Sequence, residues 1–170
     1  MNNNLILTAK EYIEGVSAVD VVTAGIALLA LIFSCYQFFR DNSRAKREAT
    51  LNAYNDLQTK VFTKLNVFLK PYRGKEEELY QLDIDDTNWE SLTEWLAGIE
   101  RFSVGVNTKI YSLRVLNRLG GGYYIRLFET LKPVIDKKRF KNISKGKHYD
   151  EFELTVKRLR RLRKLLRIIE

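Results

Sequence analysis

Glu90, Glu94 and Glu100 lie close together in one stretch of the 170-residue chain. Paired carboxylates of this kind can exchange protons with a substrate, provided a cleft brings substrate to them. Asp83, Asp85 and Asp86 form a second acidic group, of a type that binds calcium. A calcium loop also needs alternating ligands, a glycine at the turn and a distal glutamate, and the sequence around them has none of these. Gly120-Gly121-Gly122 suggests a phosphate-cradling loop. Such loops follow a strand and carry a spaced G-x-G-x-x-G or a terminal Lys-Ser/Thr, whereas here helical patterns lie on both sides, so a helix–helix turn is the expectation. The single histidine, His148, and the single cysteine, Cys35, leave no pair for a His-based metal site or a Cys/His nucleophile. With no catalytic set, no cofactor motif and no metal-ligand spacing, the sequence points to a non-enzymatic protein.

The richest functional pattern is cationic. Residues 1–136 carry 16 Lys/Arg and 17 Asp/Glu, while residues 137–170 carry 13 and 4, so the net charge of +8 comes entirely from the C-terminal part. A helix over 150–169 would place Phe152, Leu154, Leu159, Leu162, Leu165, Leu166 and Ile169 on one side. Lys157, Arg160, Arg161, Arg163, Lys164 and Arg167 would cover the other. Three uses follow for that basic face: solvation while the apolar face packs, contact with anionic lipid at about 1 kcal/mol per cation, or an acidic partner. Nucleic acid is disfavoured, because Phe152 is the helix's only aromatic residue and lies on the apolar side.

What positions these residues begins with Val21–Phe39, nineteen residues without a charge, bounded by Asp20 and Arg40. As a helix the run is roughly 28 Å long, close to the ~30 Å hydrocarbon core of a bilayer. A retained single-pass transmembrane helix is the expectation. A cleaved signal peptide would want a basic n-region, and Lys10 here faces Glu11, Glu14 and Asp20. Ile32-Phe33-Ser34-Cys35 has the outline of a lipoprotein processing box with Cys35 as lipid acceptor, which Phe33 and the acidic n-region fit poorly. Arg40, Arg44, Lys46 and Arg47 follow the run. By the positive-inside tendency, residues 1–20 lie outside a bacterial inner membrane and residues 40–170 form a cytoplasmic domain. Thr23, Ala27, Ala30, Ser34 and Gln37 recur at helical spacing and make a small, hydrogen-bonding stripe through which two such helices can pack, so a homo-oligomer or a protein partner is expected.

The body reads as all-α: the transmembrane helix, then a bundle of four or five helices. Leu51, Tyr54, Leu57, Val61, Leu65 and Phe68 share one face of a helix that Pro71 and Gly74 end. Residues 72–87 read as a charged connector feeding an N-cap at Asp86 or Thr87. A helix from Asn88 to about Lys109 turns Trp89, Leu92, Leu96, Ile99, Phe102 and Val106 inward, with Gly105 allowing close contact. Ser112 caps a short helix through Leu119, the glycine triplet breaks the chain, and a further helix from Tyr123 buries Ile125, Phe128 and Leu131. Pro133 is expected to kink or restart that helix. Residues 137–149 read as basic and turn-like, and Asp150 with Glu153 as a capping box.

Tyr54-Asn55, the run Glu100-Arg-Phe-Ser-Val-Gly-Val-Asn107 with Ile110-Tyr111, Gly120-Gly121 and Tyr149-x-x-Phe152 together resemble an uncharacterised bacterial family known only as a domain of unknown function. The resemblance covers about residues 17–165. It implies one N-terminal transmembrane helix on a small cytoplasmic helical domain, with the motif residues forming packed core and a helix junction and Asn107 as a buried hydrogen bonder. It implies no activity. Proteins of this kind often accompany bacterial defence or signalling genes. The anchor without a catalytic set suggests a membrane-tethered scaffold that holds a cytoplasmic partner; alternatively, the small-residue stripe with the cationic amphipathic tail suggests a membrane effector, as in anti-phage defence, that disturbs the bilayer on assembly.

Overall fold

The computed structural model describes residues 17–81, 87–141 and 148–169, and these are helical with no strand among them. Five helices follow one another. Helix α1 spans Ala18–Leu69, α2 Glu76–Gln81, α3 Thr87–Asn107, α4 Leu113–Lys141 and α5 Asp150–Ile169. The chain divides into two compact units, Met1–Arg44 and Ala45–Glu170.

In the first unit a capping box starts α1. The Ser17 amide donates to Asp20 Oδ2 at 3.0 Å, and the Asp20 amide donates back to Ser17 Oγ at 3.3 Å. This reciprocal pair fills two amides that the first turn leaves without helical acceptors. The apolar residues that follow are all exposed.

The second unit holds the core. Its part of α1 buries Thr50, Tyr54, Leu57, Phe62, Leu65 and Leu69. The step from Leu57 to Phe62 is five residues, one too many for an α-helical stripe. Gln58–Phe62 is a π turn that absorbs the extra residue. The turn rotates the inward face, so Phe62 and Leu69 are buried where a regular helix would bury Val61 and Phe68, which are only half-buried. Leu51 is 41% exposed because Thr50 takes the inward place. Thr63 seals the π turn, its Oγ1 donating to the Gln58 carbonyl at 2.9 Å. Past Leu69, Gly74 reverses the chain at φ +78°.

The connector is more ordered than its charge suggests. It contains α2, whose Leu79 is fully buried and which packs on α4. Asp83, Asp85 and Asp86, with the cap expected at Asp86, lie outside the described residues. In α3 all six expected apolar residues are buried. Ser112 caps α4, its Oγ accepting the Val115 amide at 3.4 Å.

The glycine triplet does interrupt the helix, by a kink at one residue rather than a full turn. Helix α4 runs through it with a kink, where Gly120 takes φ −169° and ψ 26°. Tyr54 packs directly against the kink. A Cβ on Gly120 would run into the Tyr54 hydroxyl and ring carbon Cζ, so α4 meets α1 at a point that admits no side chain. Gly120→Ala is therefore expected to cost about 1–3 kcal/mol. Combined with Tyr54→Phe, which removes the nearest atom, it should cost less than the two single losses summed. A double-mutant cycle by urea denaturation reads this directly.

Pro133 lies inside α4 without breaking it, and the helix continues to Lys141, so residues 137–141 are helical rather than turn-like. Among the described residues Tyr124 is the largest side chain fully buried. It stands edge-on to Phe152 of α5 at 4.9 Å, and Phe128 does the same from one turn on at 5.1 Å. Such aromatic pairs add about 0.5–1.5 kcal/mol each beyond their burial. Ile125 is only half-buried, since the kink turns Tyr124 and Leu127 inward beside it.

Candidate functional site

Helix α5 carries the cationic face, and its position is set by residues of α3 and α4. Its first amides are capped from another helix. The amides of Glu151 and Phe152 donate to the Glu100 carboxylate at 3.0 and 2.8 Å. Asn107, at the end of α3, donates through Nδ2 to the Glu151 carbonyl at 2.9 Å and its carboxylate at 2.7 Å. Its Oδ1 accepts from Arg158 at 2.8 Å. Glu100 and Asn107 thus use their hydrogen-bonding capacity to fasten α5 to α3. Gly105 between them leaves room for the Tyr111 ring, which a Cβ there would overlap.

Asp150 and Glu153 do not form the expected capping box. Arg139 of α4 draws both away, reaching Asp150 at 3.0 Å and Glu153 at 3.1 Å while its Nε donates to the His148 carbonyl at 2.9 Å. Lys157 and Arg139 together hold the Glu153 carboxyl below the ordinary carboxylate range. Glu100 moves the other way. Its partial burial raises its pKa, outweighing the two amide bonds that lower it, and the nearby negative charges of Glu151 and Asp150 raise it further. Burial against the same junction pushes the Tyr149 hydroxyl up to about 12, with Glu100 adding to the shift.

The three glutamates that could have formed an acid–base site do not converge. Glu94 lines a cleft of about 550 Å³ between α1 and α3, with Asp56, Lys60, Lys64, Trp95 and Arg101 among its walls. Glu100 faces α5 instead, and Glu90 is exposed near the start of α3. Among the described residues no three His, Cys, Asp or Glu side chains gather to hold a metal ion.

The basic residues of α5 fall into distinct settings. Lys157 pairs with Glu153 at 2.7 Å, and Arg160 reaches across to Glu129 of α4 at 2.6 Å. Arg161, Arg163 and Lys164 are exposed. The Arg167 side chain lies outside the described residues. Arg163 rests against the backbone of α4, since a Cβ on Gly122 would stand 2.7 Å from its Nη1. The apolar face also differs from a simple wheel. Leu154 is 44% exposed, because two residues along a helix is a rotation of about 200° from the buried Phe152. Thr155 and Val156 are buried instead. Leu165 and Leu166 are also exposed. They face Arg114, Asn117 and Arg118 across a groove of about 440 Å³, and those polar residues offer little apolar surface to cover them.

The stripe residues Thr23, Ala27, Ala30, Ser34 and Gln37 are all exposed on α1, as is Cys35. The Thr23 hydroxyl donates to the Val19 carbonyl at 2.7 Å, so its proton is already used within the helix.

Fold and site together define a small all-α bundle whose first helix begins with an uncovered apolar segment long and apolar enough to cross a membrane. A family described as Domain of unknown function (DUF4760) matches residues 24–159, and the chain belongs to it. No curated protein and no solved structure matches the chain.

Proposed function

We propose that this chain is a single-pass membrane tether whose helical domain holds a cytoplasmic protein partner, or further copies of itself, at the bacterial inner membrane without catalysing a reaction. The observation that carries this reading is the exposure of the apolar segment. Every large hydrophobic side chain of this stretch, from Val19 at 71% through Ile32 at 57% to Phe39 at 67%, is more than half exposed. A contiguous apolar surface of that length has no stable place in water. A bilayer would bury it at about 1.5–3 kcal/mol per large side chain.

The flanks support the orientation, with Asp20 before the segment and Arg40, Arg44, Lys46 and Arg47 after it. The stripe from Thr23 to Gln37 supports pairing of anchors. The use of Glu100 and Asn107 to lock α5 in place supports a module built for a fixed surface.

Reporter fusions test the topology. With the full chain expressed in a bacterium, a C-terminal green fluorescent protein should fluoresce in a membrane fraction that resists carbonate washing, and a C-terminal alkaline phosphatase should be inactive. Recovery in the soluble fraction, or an active phosphatase, overturns the reading. A detergent extract in which the chain is monomeric and retains no partner overturns the tethering role.

A further inference from the structure

Sequence alone treats the cations of α5 as one basic face. The structure gathers some of them into a cleft of about 430 Å³, walled by Gly122, Ile125 and Arg126 of α4 and by Arg160, Arg163 and Lys164 of α5. Every charged wall residue is a cation. Arg160 is partly neutralised by Glu129, which is not among the wall residues, while Arg126, Arg163 and Lys164 make no ion pair with a described residue. Lys157 and Arg161, equally basic, lie outside the cleft. Because Gly122 has no side chain, the Arg163 guanidinium lies close to the backbone of α4.

Cations sharing one wall repel each other, and a bound anion converts that repulsion into attraction. Three guanidinium groups offer planar forks that match tetrahedral oxyanions two bonds at a time, and the lysine adds a point charge. We propose that this cleft is a binding site for a phosphate group, carried by either a phospholipid headgroup or a soluble phosphate compound. The site does not depend on the anchor, since a soluble phosphate reaches it without a membrane.

The test uses the full chain in neutral detergent, titrated by calorimetry with inorganic pyrophosphate. Separate arms use short-chain phosphatidylglycerol and phosphatidylcholine. Arg126→Gln with Arg163→Gln removes two cleft cations, and Lys157→Gln with Arg161→Gln removes two cations outside it. All four side chains are at the surface, and circular dichroism serves as the check that both variants fold. The cleft pair is expected to lose at least about tenfold in affinity for the bound probe, and the outer pair much less. Saturable pyrophosphate binding with no preference for phosphatidylglycerol identifies a soluble ligand. Preference for phosphatidylglycerol over phosphatidylcholine with weak pyrophosphate binding identifies a headgroup. Equal losses in the two pairs, or no saturable binding in any arm, overturn the proposal.

Discussion

Glu100→Ala should lower the unfolding free energy of the helical domain by about 1–3 kcal/mol, the range for leaving partly buried amide donors without their acceptor. The carboxylate fills the amides of both Glu151 and Phe152, and alanine leaves them with no acceptor at a partly buried junction. Glu100→Gln keeps the shape but offers a single oxygen, so it should lose less. The pH dependence gives the sharper test. The folded pKa of Glu100 is raised above its ordinary 4.5, so the folded state binds its proton more tightly than the unfolded state does. The contribution of Glu100 is therefore fully present below the unfolded pKa and shrinks as pH rises through the folded one. The gap between wild type and Glu100→Ala should be widest in mild acid and narrower at neutral pH. Glu100→Gln should abolish that part of the profile. Urea unfolding across this range measures both, and a gap that widened toward neutral pH would show that the amide bonds, not burial, dominate the carboxyl.

On the proposed tethering role, Leu28→Arg together with Ile32→Arg should release the chain from membranes. On insertion scales each arginine at a helix centre costs about 2.5–3.5 kcal/mol, and each lost aliphatic side chain adds a few tenths more. The two changes together cost about 6–8 kcal/mol, enough to reverse the partition of the proposed span. Both positions are exposed on α1, so the substitutions disturb no contact within the domain. Fractionation should find the variant in the cytosol, or aggregated with its domain still folded. Retention in carbonate-washed membranes would mean that something other than this segment holds the protein there.

Much of the architecture was legible from spacing. The all-α class, the end of α1 before Pro71, the Ser112 cap and the six inward residues of α3 all follow from local pattern, because there the period and the core-facing stripe agree. The expectation failed where a long-range contact decides the local geometry. The π turn breaks the 3.6-residue period, so Val61 and Phe68 were expected where Phe62 and Leu69 are buried. Nothing in Tyr123-Tyr124 says which ring goes inside, and the pair follows directly on the kink at Gly120. Asp150 and Glu153 have the sequence of a cap, yet Arg139 on a different helix competes for both. The wheel of α5 placed its apolar residues correctly near Phe152 and Leu159 and failed at Leu154, which is simply half a turn off, and at Leu165, where polar residues stand opposite. The pairing of Arg126 with the α5 cations left no mark in either helix alone, since each contributes half of the wall.

The cap on α5 also has a meaning in time. During synthesis Glu100 leaves the ribosome about fifty residues before the amides it will hold, so its acceptor is in place when α5 emerges. A free cationic amphipathic helix would seek the nearest anionic bilayer. In this chain the Glu100 carboxylate on α3, made before α5, is the acceptor that caps its first turn.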